Sequence, residues 1–308
     1  RYGTLAFGAF VGFLGGWLYY LARLIAFSAN TVLLTDFIAY FIAGAGEIYS
    51  QNGYDMLMSV VADDLEESTY RDLKSRGAVD GVILHAPRTV DPRIPALTAM
   101  GLPFVVHGRA TGTEQDYNWV DVNNRRAFLR ATEFLLDLGH RRIGLVNGAE
   151  NMDFAIRRRT GYLDAMTARG VTANPAYMTS GEMTEVSGFR AASHMLALDP
   201  APTAFLAASL LSGMGVRRAI EARGLTMGRD ISVIIFDDEL SYLKNGEDLP
   251  IFTATRSSVR DAGRIAAQML LDLIANPDAP PRHRLLEADL ILGQSTGPMN
   301  TDVTPKRG

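Results

Sequence analysis

From residue 80 onward, short and almost wholly apolar runs alternate with stretches whose apolar residues recur at helical spacing. The runs are Asp80–His85 (DGVILH), Pro103–His107 (PFVVH), Arg142–Asn147 (RIGLVN), Thr203–Ala208 (TAFLAA) and Ile231–Phe236 (ISVIIF). A strand that is apolar at every position is buried on both faces, as in parallel sheets covered by helices on each side. Parallel neighbours also need long crossovers, which intervening helices supply. The spacing predicts helices over Ile94–Met100, Asn124–Leu138, Phe154–Arg169, Val186–Leu198, Met214–Arg223 and Ser258–Ile274, the last ending before Asn276-Pro277. Upstream, Thr35–Ser50 reads as a helix closed by Asn52-Gly53, Tyr54–Val61 as a strand, and Glu66–Arg76 as a helix stopped by Gly77.

Two consecutive α/β halves within 308 residues imply two similar lobes with a ligand cleft between them. Hydrophobic residues at 47% and charged residues at 21% fit an ordinary soluble globular chain. A net charge of −4 supplies no basic field, so a nucleic-acid-binding part, if there is one, is expected outside this chain. The absence of cysteine excludes disulfides and thiolate metal sites and fits a reducing cytoplasm. The five histidines stand singly, without ligand spacing, so no metal or cofactor is expected.

The segment from Tyr2 to Ala22 carries no charge and has the length of a membrane span. Gly8, Gly12, Gly15 and Gly16 interrupt it, and the two-lobe reading demands a first strand (Thr4–Phe10), a glycine-rich turn and a helix start there. A membrane role is therefore not expected. Gly293-Gln294-Ser295-Thr296-Gly297 fits the spacing of a hydrolase nucleophile elbow, but no histidine follows it. No phosphate-cradling glycine loop follows a strand. The chain reads as a binding module, not an enzyme.

Several segments carry a resemblance. Leu138-Gly139-His140-Arg141-Arg142-Ile143-Gly144 is similar to the LGHxxI helix–strand junction of the lactose-repressor (LacI/GalR) family. Physically, Gly139 stops the helix, and His140 can satisfy carbonyls at its negative end. His107-Gly108-Arg109 resembles the family's Asp-Arg strand end, with Gly108 in place of the aspartate. Asp121-Val122-Asn123-Asn124 resembles a crossing between lobes, Arg157–Tyr162 the RxxGF/Y helix, Ile234–Asp238 the GYDD strand end, and Phe252–Arg256 the return crossing.

The resemblance implies two Rossmann-like lobes with parallel sheets, of the periplasmic-binding-protein-like type I. One lobe is expected from 1–121 with 254–283, the other from 122–253 with 284–308. It further implies a sugar effector in the cleft, a homodimer built through core helices, and operator DNA contacted by a helix-turn-helix headpiece outside this chain. The HGR, DVNNRRAF and FDDELSYL stretches together suggest the alpha-glucoside group. The competing reading is an exported or anchored sugar-binding protein of a transporter, since one architecture serves both roles.

Sugar hydroxyls need paired donors and acceptors, and the ring needs an apolar face. Arg158 offers a fork of N–H groups and Asp237 an acceptor for adjacent hydroxyls, at the strand ends where open α/β sheets bind ligands. Asp121, Asn123 and Arg109 are further polar candidates. Phe154, Tyr162 and Trp119 are candidates for ring packing. The resemblance places Met183 and Ser209 on the second lobe's wall. Blander readings stand beside these. Arg157-Arg158-Arg159 also fits a solvated helix face, Asp237-Asp238 a turn or helix cap, Trp119 simple packing, and His107 a satisfied cleft-edge residue rather than an acid-base group.

Overall fold

The computed structural model describes residues 40–58, 61, 65–239 and 244–300. The expected strand Thr4–Phe10 and the apolar segment 2–22 lie outside the described residues. The elements are α1 (described over 40–51), α2 (Glu66–Ser75), β1 (Val82–His85), α3 (Arg93–Met100), β2 (Phe104–His107), β3 (Trp119–Val122) and α4 (Asn124–Asp137). They continue with β4 (Ile143–Gly148), α5 (Asp153–Ala168), β5 (Met178–Gly181), α6 (Glu185–Met195), β6 (Ala204–Ala207), α7 (Leu210–Glu221) and β7 (Ser232–Asp237). The last are β8 (Thr253–Arg256), α8 (Val259–Ala275), β9 (His283–Leu286) and β10 (Asp289–Ile291).

Two sheets form. One has the order β1-β2-β3-β9 and is parallel throughout. The other has the order β10-β8-β7-β6-β4-β5 and is parallel except for β10. The second sheet shows why its strands are apolar at every position. Ile143, Leu145, Leu206, Ile234 and Phe236 enter a core with α4 and α5. Their neighbours Val146, Phe205, Val233 and Ile235 enter a separate core with α6 and α7. Successive side chains point to opposite faces, so two cores leave no position for a polar residue. In the first sheet, α1 and α8 pack on Val105 and Val120, while α3 packs with Leu84, Phe104 and Val106. The chain passes between the sheets after β3, between β8 and α8, and after β9. Among the described residues no helix is long and apolar enough to cross a membrane.

Three expectations need correction. Residues 54–58, expected in a strand, form no ladder, and Leu57 is 62% exposed. An apolar run becomes a strand only where a neighbour completes its hydrogen bonds, and β1 is the sheet's edge among the described residues. Strand β5 (MTSG) was not expected, because a short polar edge strand carries no hydrophobic period. Helix α7 begins at Leu210 rather than Met214, since Ser209 caps it by accepting a hydrogen bond from the Ser212 amide at 3.1 Å.

Helices α4 and α5 meet at Gly161, where an added Cβ would lie 2.0 Å from the Arg125 carbonyl oxygen and 2.9 Å from the Leu129 nitrogen. Backbone cannot yield as a flexible side chain can. Gly161→Ala is therefore expected to cost about 2 kcal/mol or more, lowering the melting temperature by roughly 5 °C. Gly181→Ala, whose Cβ would meet nothing within 4 Å, is the neutral control. Equal melting curves for the two variants would refute this packing.

Candidate functional site

The carboxyl ends of β1 and β2 face those of β4, β6 and β7, because the loops that follow them touch. The Thr89 amide donates to the Asn151 carbonyl at 3.1 Å, and Arg88 bridges to Met152. The Thr111 amide donates to Asp153 Oδ1 at 3.0 Å, and the Thr111 hydroxyl donates to the same oxygen. Strand carboxyl ends converging across a cleft are where open α/β sheets hold ligands.

Arg158 occupies the floor of the second lobe. It is 6% exposed, and its guanidinium carbon lies 3.9 Å above the Phe236 ring, with Phe154 at 4.9 Å and Phe128 at 5.2 Å. Nε donates to Asn124 Oδ1 and Nη1 to the Ala208 carbonyl, each at 2.7 Å. Burial pulls its pKa down to about 10, and the Asp238 and Asp121 carboxylates act against that pull. The residue stays charged at neutral pH. Helix α5 is itself fixed by Asn147, whose amide donates to the Ala155 carbonyl at 2.8 Å.

At the tip of β7 two adjacent aspartates take different roles. Asp237 is 4% exposed; its Oδ2 accepts from Arg256 Nε at 3.3 Å and its Oδ1 from the Glu239 amide at 3.0 Å. Asp238 is half-buried and makes no hydrogen bond or ion pair among the described residues. Burial pushes its carboxyl up to about 6, against the lowering effect of Arg158. Asp121, on β3, is buried and accepts from Arg109 Nε at 2.7 Å. Burial raises its pKa despite that partner. Arg109 lies 4.7 Å from the Trp119 ring, which stacks on His283, so Trp119 packs rather than faces a ligand. Gly108 replaces the family's aspartate for a physical reason. Its φ is +113°, and a Cβ there would lie 2.5 Å from Pro87 Cδ.

Phe154 and Met183 gather at the end of β4, where Gly148 leaves room. A Cβ on Gly148 would lie 3.0 Å from the Phe154 ring and 3.4 Å from Met183 Sδ. Ser209 caps α7 and donates to the Met183 carbonyl at 3.3 Å. Asn123 is set aside from this group. It caps α4 by accepting from the Arg126 amide at 3.2 Å and donates to Glu287 Oε1 at 2.9 Å. Its neighbour Asn124, which the sequence reading passed over, is the one that reaches Arg158.

Tyr162 also departs from expectation. It is fully buried in the α4–α5 core and donates to the Ile143 carbonyl at 2.9 Å, so it packs no ligand ring. His140 does not satisfy helix-end carbonyls with its imidazole. The ring bonds Thr203 Oγ1 and Ser232 Oγ, both at 2.9 Å, and the Gly297 carbonyl at 3.1 Å, tying three strand starts together. The helix end is met instead by Arg141 Nη1, which donates to the Leu136 carbonyl at 2.7 Å.

His85 was missed, and His107 was read only as a cleft-edge residue. They close β1 and β2 with their Nδ1 atoms 2.8 Å apart, so one ring donates and the other accepts. Burial takes the His85 pKa down to about 4 and holds His107 well below the usual range, so both rings are neutral at pH 7. Each is a polar residue ending an apolar strand, and that signal was available in DGVILH and PFVVH. Among the described residues no group of three or more histidine or acidic side chains could hold a metal. A groove of about 650 Å³, lined by Asn118, Met269, Asp272, Pro280 and Arg282, lies at the amino ends of β3 and β9, on the opposite edge of the sheet.

Two parallel-sheet lobes, three crossings and polar groups at facing strand ends define a two-lobed ligand-binding core. Residues 132–296 match the periplasmic binding protein-like domain family. Over 258 residues the chain is 40% identical to the HTH-type transcriptional regulator AglR of Rhizobium meliloti (strain 1021), covering 84% of this chain and 72% of that protein. It is 29% identical to the HTH-type transcriptional regulator CelR of Thermobifida fusca, over 84% of this chain and 76% of that one. Among solved structures, a LacI-family regulatory protein from Chloroflexus aggregans superposes with a TM-score of 0.74 at 30% identity, covering 86% of this chain and 92% of that one. A CelR–cellobiose complex superposes with a TM-score of 0.77 at 28% identity, covering 86% and 81%. The chain belongs to the LacI family of transcription regulators. These relatives are regulators rather than enzymes, and they do not favour the transporter reading.

Proposed function

We propose that this protein is the effector-binding and dimerisation core of a sugar-responsive regulator that binds a small sugar between its lobes. The observation that carries this is Arg158. A buried guanidinium fixed by Asn124, the Ala208 carbonyl and the Phe236 ring has none of its bonds among the described residues at Nη2. A pre-set donor of this kind suits a sugar oxygen. Phe154 and Met183 supply the apolar wall, and the Arg109–Asp121 pair and the histidine pair supply polar groups from the facing lobe. That a structural relative is a complex with cellobiose supports a sugar over other small ligands.

In this reading the sugar bridges the lobes and shifts their relative orientation across the three crossings. Two cores pair through their outer helices. Operator DNA is engaged in the cytoplasm by a helix-turn-helix headpiece of the kind the relatives' names describe. Calorimetric titration with glucose, maltose, sucrose, trehalose and cellobiose tests it. At least one of these sugars is expected to bind saturably at one site per chain and to raise the melting temperature. No heat and no thermal shift with all five would remove the reading.

A further inference from the structure

Arg158 has two anchors, and they belong to different parts of the molecule. Nη1 donates to the carbonyl of Ala208, whose own amide donates to the Val146 carbonyl at 2.9 Å and so ties it into the second sheet. Nε donates at 2.7 Å to the side chain of Asn124, the first residue of α4. Asn124 uses the other half of its amide as well, for Nδ2 donates at 3.1 Å to the carbonyl of Val122, the last residue of β3. Beside it the first crossing is stitched to the third. The Asn123 amide donates to the Leu286 carbonyl at 2.7 Å, and its side chain donates to Glu287. Among the described residues no other side chain bonds both Arg158 and a crossing strand. Packing alone does not call for an amide at this position. Asn124 is 4% exposed, and the residues that follow it on the same face of α4 are Ala127, Phe128 and Ala131. Burying an amide costs free energy unless both of its ends are bonded, as they are here.

We propose that Asn124 is a positioning residue that passes displacement of the Arg158 guanidinium to β3, and so couples an occupied cleft to the angle between the lobes. This deepens the sugar-binding reading and rests on it. A sugar oxygen that accepts from Nη2 draws the guanidinium towards the cleft. The Ala208 anchor cannot follow, because it closes β6, which lies between β7 and β4 in the second sheet. The Asn124 anchor can follow, since the chain leaves the first sheet at Val122 and turns into α4 there. Coupling of this kind is carried by packed and hydrogen-bonded groups in contact with one another. The guanidinium, the two ends of the Asn124 amide and the Val122 carbonyl make such a series. An aspartate in place of Asn124 still accepts from Arg158 but has no donor for Val122, and an alanine does neither.

The chain has no cysteine, so Ala99→Cys on α3 and Ala168→Cys on α5, both exposed positions, place one spin label on each lobe. The distance between the labels is measured by electron double resonance, without sugar and at saturation. Labelled chains are diluted with unlabelled ones so that only distances within one chain are read. The sugar used is whichever of glucose, maltose, sucrose, trehalose and cellobiose binds tightest by calorimetry. With Asn124 intact, the distance is expected to change on saturation. Asn124→Asp is expected to bind about tenfold more weakly, because its carboxylate takes up guanidinium charge. At saturation it is expected to show roughly half of the distance change or less. An acidic residue in the first turn favours a helix, so this variant should fold, which melting curves check. Asn124→Ala is measured in parallel and is expected to lose the distance change as well. A full change in either folded variant overturns the inference, and so does loss of all binding in both, since Asn124 would then serve ligand affinity alone. No distance change with Asn124 intact overturns the inference and leaves the sugar-binding reading standing. Failure to bind any of the five sugars overturns both.

Discussion

Replacing Arg158 with lysine is expected to weaken sugar binding by about 100-fold, close to the loss expected for methionine. Charge alone does not explain the arrangement. The planar fork reaches the Asn124 side chain through Nε and the Ala208 carbonyl through Nη1, each at 2.7 Å, while its face rests 3.9 Å from the Phe236 ring. An ammonium is a point charge on a flexible stem and cannot hold two fixed acceptors, stack on a ring and still present a donor to the cleft. The loss corresponds to about 2.8 kcal/mol, two steps of about 1.4 kcal/mol per decade of affinity. Arg158→Met removes the donors altogether and strands a buried asparagine oxygen and a carbonyl. It is therefore expected to destabilise the fold as well, by about 1–3 kcal/mol for each unsatisfied group. Calorimetry with the best-binding sugar, alongside circular dichroism and melting curves, separates the two effects. A lysine variant that binds within about threefold of wild type would show that the fork geometry is not what the ligand uses.

The parts of this protein that were legible in its sequence are those governed by burial. ISVIIF and RIGLVN could be placed because a strand between two apolar cores has no room for a polar position, and the structure divides those residues between the two cores accordingly. Where burial does not govern, the pattern is silent. Strand β5 is polar and lies at an edge, held by its backbone pairing with β4, a signal that side chains do not carry. YDMLMSVV has the residues of a strand, but residues 54–58 have no partner strand among the described residues, and propensity without a partner is not enough.

Within the site, the limit is the choice between neighbours. Sequence spacing locates Asn123-Asn124 and Asp237-Asp238 as pairs but cannot tell which member caps or pairs and which turns toward the cleft. That depends on helix phase and strand twist, fixed by packing far from either residue. The same applies to Tyr162, one turn from Arg158 on α5. It faces the Ile143 carbonyl in the core, while Arg158 faces Asn124 and Ala208.

Removing the Asp153 carboxylate is expected to open the protein. Asp153 is 1% exposed in the first turn of α5, and it joins the second lobe to Thr111 of the first. One carboxylate oxygen accepts from both the amide and the hydroxyl of Thr111, the other from Arg157, and Arg157 Nη2 donates to the Thr111 hydroxyl at 3.1 Å. Other contacts at this rim are the Thr89 amide and hydroxyl, which donate to the Asn151 carbonyl at 3.1 and 3.4 Å, and the bridge between Arg88 and Met152. The three crossings connect the lobes but do not fix how far apart they stand, so the angle between them depends on rim contacts of this kind. In Asp153→Ala, three donors lose their acceptor at once, two on the exposed Thr111 and one on the partly buried Arg157. Water then takes the place of the carboxylate, and the rim loses the tie between Thr111 and α5. Small-angle scattering is then expected to give a larger radius of gyration for the unliganded variant, with sugar affinity lower by about tenfold, because the ligand must close the lobes unaided. Saturating sugar should restore the compact dimensions. Thr111→Val, on the facing lobe, should do the same in part. The two changes together should cost less than their sum, since they break one contact from opposite sides. Strictly additive losses, or a variant whose scattering curve matches the wild type, would mean that the lobes are held together elsewhere.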